Sequence, residues 1–421
     1  MNKEKTTYFP NLNDIKLAAD TIKNVSAVTP LYPSVRYSNT HQAHVFFKRE
    51  DLQQVRSYKI RGAYNKISTL SKEQAKNGVV CASAGNHAQG VALSCKLLKI
   101  NGTIFMPAPT PNQKVEQVKM FGGEYVSIIL KGDTFDDAYH LAITECKRLN
   151  KTFIHPFNDK KVIEGQSTIA LEILEQTTKP IDYIFIAVGG GGLAAGLSTV
   201  FKTLSPNTKI IGIEPEGAPS MSVSIKNNKN TTLENIEKFV DGAAVKRVGD
   251  LTFPICKQNL DAMITIPEGK VCQTILDLYN RDAIVVEPAG ALSISALDFY
   301  ANEIKGKHVV CVVSGSNNDI TRTSEIKERA LLYANLKHYF IIKFPQRAGA
   351  LKEFVVDILG ENDDITYFQY AKKTNRENGS AVVGIQLKAS SDLEPLITKM
   401  KQQNFYGDYL NNKPDLFQFL V

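Results

Sequence analysis

The chain has 421 residues, 43% of them hydrophobic and 22% charged. That length suits about two or three domains, and that balance excludes a disordered chain. The formal net charge is +7, but the Lys and Arg residues are dispersed among acidic ones, which argues against a nucleic-acid-binding block and leaves a phosphorylated ligand as the natural use of local positive potential.

The first residues, MNKEKTTYFPNLND, carry no apolar stretch after their charges, and no run of 18 apolar residues occurs anywhere. The expectation is a cytoplasmic protein with no membrane span. Ser57-Tyr58-Lys59-Ile60-Arg61-Gly62 follows. A single Lys is most often a surface residue; the functional alternative is an amine that forms a Schiff base with an aldehyde cofactor, a role that needs partial deprotonation by burial or nearby charge. Gly78–Ala84 reads as a buried strand and Ala88–Leu98 as a helix, with Ala88, Val91, Ala92 and Cys95 at i, i+3, i+4, i+7. Between them lies Ser83-Ala84-Gly85-Asn86-His87-Ala88-Gln89-Gly90. A helix start after a strand offers free N–H groups to an anion such as a carboxylate; equally, Asn86 serves there as a helix cap.

Further strands are expected at Gly102–Met106 and Tyr125–Leu130, and helices at Gln113–Phe121 and Thr134–Leu149. The strand Tyr183–Val188 runs into Gly189-Gly190-Gly191-Gly192-Leu193. Four glycines are entropically expensive for a turn alone, and bare backbone wraps closely round a phosphate. A rival reading exists here. Gly189, Gly191 and Ala194 fit G-x-G-x-x-A, and Glu214 ends the next strand, Lys209–Ile213, as in a dinucleotide-binding unit. Ile225–Glu234 reads as an exposed loop. Glu287 in Glu287-Pro288-Ala289-Gly290-Ala291 lines a pocket or caps the next helix. The strand His308–Val313 ends in Ser314-Gly315-Ser316-Asn317, where the Ser314 hydroxyl faces a ligand heteroatom or simply closes a turn.

Strand–helix alternation with continuously apolar strands predicts an α/β architecture of parallel sheets covered by helices. Two sheets are expected, one from about residues 57–155 and one from the flanking segments, with a site at the carboxyl ends of the strands. After Ser314 the pattern changes. Thr323–Leu336 reads as a linking helix. Strands at Tyr339–Phe344, Ile365–Ala371, Ala381–Leu387 and Phe417–Val421, with helices at Ala350–Leu359 and Leu393–Gln403, make the βαββαβ order of ferredoxin-like domains, with Asn378–Gly379 in a turn. The six cysteines form no CxxC pair and no His-flanked cluster, so neither a disulfide framework nor a metal site is expected.

Five segments in one order, KREDLQQVRSYKIRGAYNKI, SAGNHAQGVA, VGGGGLAAG, EPAGA and VVSGSN, resemble the fold type II pyridoxal-phosphate enzymes, and within them the threonine dehydratase family. The resemblance runs over about residues 25–320. It implies pyridoxal 5′-phosphate as cofactor, Lys59 as its Schiff-base lysine, Asn86 as the partner of its 3′-oxygen, Gly189, Gly190, Gly191, Gly192 and Leu193 as its phosphate cradle, and Ser314 facing its pyridine nitrogen. Ser83, Gly85, Asn86 and His87 would hold the substrate carboxylate. Under it Glu214 is no ribose ligand, because the dinucleotide reading leaves Lys59 and Asn86 without a task. Tyr58, Arg56 and Ser316 depart from the residues usual in the family. The implied reaction is dehydration of L-threonine, and also of L-serine, to a keto acid and ammonia; a serine dehydratase or serine racemase is the alternative.

FPQRAGALKEFVVDIL and DDITYFQYAKK resemble the ACT-like regulatory domain of biosynthetic threonine dehydratases. The expected division is a catalytic region 1–325 containing a smaller subdomain at about 57–155, a linker helix 326–338 and one ACT-like domain 339–421. The resemblance implies the first step of isoleucine biosynthesis, isoleucine as effector with valine as a second, and a homotetramer. A dimerisation module without a ligand is the competing reading of the tail.

Overall fold

The computed structural model describes residues 8–370 and 378–413. The chain divides into two compact units, Met1–Asp319 and Ile320–Val421. In the first, β1 (Leu31–Pro33) and β2 (His44–Arg49) pair antiparallel. There follow β3 (Val79–Ala82), β4 (Gly102–Met106), β5 (Val126–Leu130) and β6 (Thr152–Phe153), an all-parallel sheet in the order β5-β4-β3-β6. β7 (Tyr183–Ala187), β8 (Lys209–Pro215), β9 (Ala262–Ile266) and β10 (His308–Val313) complete a second sheet, β1-β2-β10-β7-β8-β9, parallel except for β1.

Every residue of β3 and β4 is buried, which explains their unbroken apolar sequences: helices cover both faces, so neither face has to be polar. One core gathers Ile60, Val79, Cys81, Val91 and Ile104; a larger one gathers Ile163, Ile184, Ile186, Val200 and Phe201 behind the second sheet. Burying a side chain of this size stabilises the fold by about 1.5–3 kcal/mol. All six cysteines are buried. The expected two-sheet α/β architecture is therefore present. β1, β2, β6 and β9 were not legible in the pattern. β1 and β6 span only three and two residues, too short for a periodicity. β2 carries Lys48, whose fully buried amine reaches Glu172 at 2.5 Å and the Thr29 carbonyl at 2.7 Å.

The second unit contains the helix Thr323–Tyr333, then β11 (Lys337–Pro345), β12 (Asp364–Tyr370), β13 (Asn378–Gln386) and β14 (Tyr406–Tyr409), antiparallel in the order β12-β13-β11-β14. Helical segments Ala350–Ile358 and Leu393–Gln402 connect them. This is the ferredoxin-like βαββαβ arrangement. One local expectation changes. Asn378 and Gly379 belong to β13, opposite Pro345 and Phe344. The place beside β11 is taken by Tyr406–Tyr409, a segment too short and polar to show alternation; the strand expected at Phe417–Val421 lies outside the described residues. Among the described residues no helix is long and apolar enough to cross a membrane.

Candidate active site

Lys59 is the first residue of the helix Lys59–Ser68. The chain reaches it through Arg56, which sits in the left-handed region with φ 57°. That turn lets Ser57 bridge Gly315, Tyr58 N–H donate to the Ser314 carbonyl at 3.2 Å, and Ser316 N–H donate to the Arg56 carbonyl at 2.9 Å. The carboxyl end of β10 and the start of the Lys59 helix are thus stitched together. The Lys59 amine is half-buried, donates to the Pro156 carbonyl at 3.1 Å and lies 5.1 Å from the Tyr58 ring centre.

Arg61, only 1% exposed, anchors the same helix. It makes paired bonds to Glu50 (2.8 and 2.8 Å) and to Glu172 (2.6 and 2.9 Å). Burial alone would raise the Glu50 carboxyl; the Arg61 charge overrides it and holds the group below the usual carboxylate range. Behind the helix, a Cβ on Gly165 would stand 2.7 Å from the Arg61 carbonyl and from Gly62 Cα. In front, a Cβ on Gly90 would stand 3.1 Å from the Lys59 carbonyl. Two helices close on the Lys59 helix because each presents a glycine to it.

After β3, Gly85 N–H donates to Ser83 Oγ at 3.3 Å, and a Cβ on Gly85 would meet nothing within 4 Å. Gly85 is the N-cap of the helix Asn86–Leu98, so Asn86 does not cap it. Its amide links instead: Asn317 Nδ2 donates to Asn86 Oδ1 at 2.6 Å, and Asn86 Nδ2 donates to Glu287 Oε1 at 2.6 Å. The His87 ring is buried with Nε2 2.8 Å from the Ile154 carbonyl, and burial together with the Lys59 charge pushes it down to about 3. What His87 presents outward is backbone.

The glycine loop follows β7. Gly191, at φ 89°, caps the helix Gly192–Leu204. A Cβ on Gly190 would lie 2.3 Å from the Phe157 ring, and one on Gly192 3.0 Å from Phe157 Cβ. Thr252 Oγ1 and Gly249 N–H both donate to the Gly190 carbonyl, at 2.6 and 3.2 Å, which turns that carbonyl away. The N–H groups of Gly192, Leu193 and Ala194 are in the first helical turn and have no intrahelical acceptor, the arrangement that receives a phosphate.

Ser314, 3% exposed, follows β10. Glu287 is 5% exposed, and its carboxyl is raised to about 7 by burial and then by Asp241, against the Asn86 bond and the Lys114 and Lys59 charges. Glu214 is fully buried and accepts from Met221 N–H (2.6 Å), Ser222 N–H (2.8 Å) and Ser222 Oγ (2.7 Å). It caps the helix Ser220–Lys226, so it is not offered to a ribose.

Asn317, Phe157, Pro156 and Thr252 also shape this place and were not singled out from sequence. Asn317 lies within VVSGSN, so its proximity to Ser314 was a usable signal. Phe157 and Pro156 follow a two-residue strand and carried none. Together the residues supply a half-buried amine, an anion cradle, a hydroxyl at a strand end and a buried acid. Among the described residues no group of three or more His, Cys, Asp or Glu is placed to hold a metal ion.

Residues 22–315 match the family model described as pyridoxal-phosphate dependent enzyme, and residues 328–420 match that of the C-terminal regulatory domain of threonine dehydratase. The biosynthetic L-threonine dehydratase of Halalkalibacterium halodurans is 54% identical over 410 residues, 97% of this chain and 99% of that protein. That of Bacillus subtilis is 54% identical over 404 residues, 96% of each. Among solved structures, the processed threonine deaminase isoform 2 of Solanum lycopersicum superposes with a TM-score of 0.72 at 38% identity, over 77% of this chain and 96% of that one. Maize serine racemase superposes with 0.71 at 31% identity, over 77% and 99%.

Proposed function

The chain belongs to the pyridoxal-phosphate-dependent enzyme family, and from that premise we propose that it dehydrates and deaminates L-threonine to 2-oxobutanoate and ammonia, the first step of isoleucine biosynthesis. The observation that carries the reading is that similarity to biosynthetic threonine dehydratases runs through both units almost end to end. L-serine is a second substrate. It lacks only the β-methyl, which changes binding by about 1–3 kcal/mol, and the likeness to a serine racemase makes a serine-directed activity the alternative.

The residues fit the cofactor. A Cβ at Gly190 would fill the space taken by the Phe157 ring, so the loop is bare backbone by necessity, and helix-start N–H groups stand beside it. Gly189, Gly190, Gly191, Gly192 and Leu193 would hold the phosphate, Lys59 the aldehyde carbon, Asn86 the 3′-oxygen and Ser314 the ring nitrogen. The bound cofactor supplies the electron sink for breaking the Cα–H and Cβ–O bonds. Lys59 takes the proton from the substrate Cα. Its hold on the Pro156 carbonyl and the clamp on its helix limit where that amine can be. Ser83, Gly85, Asn86 and the backbone of His87 bind the substrate carboxylate at the helix start, and the open space at Gly85 admits it. The Ser314 hydroxyl would face the ring nitrogen as a neutral partner; unlike an acid it would not supply that nitrogen with a proton, and the weaker sink this gives would suit β-elimination.

Residues 339–421 act as the regulatory domain and bind isoleucine, with valine as a second effector; the protein works in the cytoplasm as a homotetramer. The test is the visible spectrum of the purified protein with pyridoxal phosphate, before and after L-threonine, with the keto acid assayed. A band that shifts as 2-oxobutanoate appears supports the reading. A protein that acquires no visible band with added cofactor overturns it.

A further inference from the structure

The link Asn317–Asn86–Glu287 engages both ends of the Asn86 amide. Its oxygen accepts from Asn317 and one N–H goes to Glu287, each at 2.6 Å, so one N–H is left. Asn317 is itself held, its Nδ2 donating to the Val55 carbonyl at 2.9 Å. Glu287 is walled in by two glycines. A Cβ on Gly315 would stand 2.6 Å from its Oε1 and one on Gly242 3.4 Å away, and its N–H is tied to the Gly315 carbonyl at 3.2 Å.

We infer that Glu287 is a positioning residue for the reaction, fixing through Asn86 which end of that amide faces the cofactor and coupling its own ionisation to the charge of the bound cofactor. The inference rests on the reading of Asn86 as the partner of the 3′-oxygen. The two ends of a side-chain amide are nearly the same in shape, so only its neighbours decide its orientation. Here a donor at one end and a buried carboxyl at the other permit one orientation, which leaves an N–H to offer a ligand oxygen.

The carboxyl also has a charge state to exchange. Around it stand Asn86 on one helix, Lys59 on a second, Lys114 on a third and Asp241 on a loop. Lys114 is paired with Asp241 at 2.7 Å, so its charge is already answered. Burial, then Asp241, raise Glu287 to about 7. Up to neutral pH it is an uncharged acid; above that it is a buried anion one amide away from the proposed 3′-oxygen. An anionic oxygen is held better while Glu287 keeps its proton.

Three proteins decide the matter: the wild type, E287Q and E287A, with pyridoxal phosphate as the probe. The first readout is the melting temperature of the cofactor-free proteins from pH 5 to 8. The folded carboxyl has the higher pKa, so the folded state keeps a proton that the unfolded chain has lost, and wild-type stability drains away as pH rises through about 7. The gap between E287Q and the wild type should widen with pH; parallel curves overturn the inference. The second readout is cofactor affinity at pH 6 and pH 8.5. The wild type should weaken, relative to E287Q, by roughly fivefold or more; the cofactor's own titration is common to both. Identical pH dependence overturns the coupling. At pH 6, E287Q should bind the cofactor much better than E287A, because its amide oxygen still accepts from Asn86; equal loss in both overturns the positioning role. A wild type that binds no pyridoxal phosphate overturns the cofactor reading and this inference with it, whereas normal wild-type binding with E287Q tracking it at every pH overturns this inference alone.

Discussion

At the scale of single residues, Lys59 matters less for being a lysine at a helix start than for what surrounds it. Replacing it by Ala should abolish turnover and the cofactor's visible band together; near-normal 2-oxobutanoate production would overturn the assignment. Ser314→Asp should raise side reactions relative to dehydration, read as the ratio of products, and an unchanged ratio counts against the neutral-nitrogen argument. Arg61→Met tests the buried ion network. Glu50 is fully buried and would lose its paired cation, so the variant should lose about 3–5 kcal/mol in denaturant unfolding, as for broken buried pairs. His87 tests burial by pH. Its folded pKa is lowered to about 3 from an ordinary 6.5, so its contribution is complete above 6.5 and is lost as pH falls towards 3, where the unfolded chain alone takes the proton. His87→Asn should give a shallower acid loss of stability over that window than the wild type.

Helices and strands place these residues, and glycines decide how closely they approach. Gly62, Gly90 and Gly165 bring two helices onto the one that carries Lys59. Gly165→Val would have to part the helices Lys59–Ser68 and Lys160–Gln176. It should cost about 1–3 kcal/mol by overpacking and lower kcat as Lys59 is displaced; unchanged stability and kcat would show that the gap is not tight. At this scale the sequence was readable where elements are long or continuously apolar. β4 and β10 lie where their apolar runs put them. It was unreadable at β6, with two residues, and misleading at Lys48, where a charged residue is buried because Glu172 comes from a distant helix.

For the whole molecule, two compact units carry two family resemblances, and the proposed regulation requires isoleucine to bind two global states of the protein unequally. Titrating isoleucine at subsaturating L-threonine should raise the half-saturating threonine concentration by roughly fivefold or more; no effect at any threonine level would leave the second unit as an assembly module. Many residues of the candidate site, though not Asn317, Pro156, Phe157 or Thr252, were visible in order along the chain, because a strand end, a glycine run and a helix start each leave a local chemical signature: free N–H groups, missing Cβ atoms, an amine. The α/β alternation was visible for the same reason, since burial on both faces forces unbroken apolar strands. What they do to one another was decided only by tertiary structure. Asn86 reads equally as a helix cap or a ligand contact until Asn317 and Glu287, more than two hundred residues away, take its amide. Glu214 reads as a ribose acid until its own next helix takes its oxygens. Local sequence determines which groups a segment can offer; only packing across the fold determines which of them are already engaged.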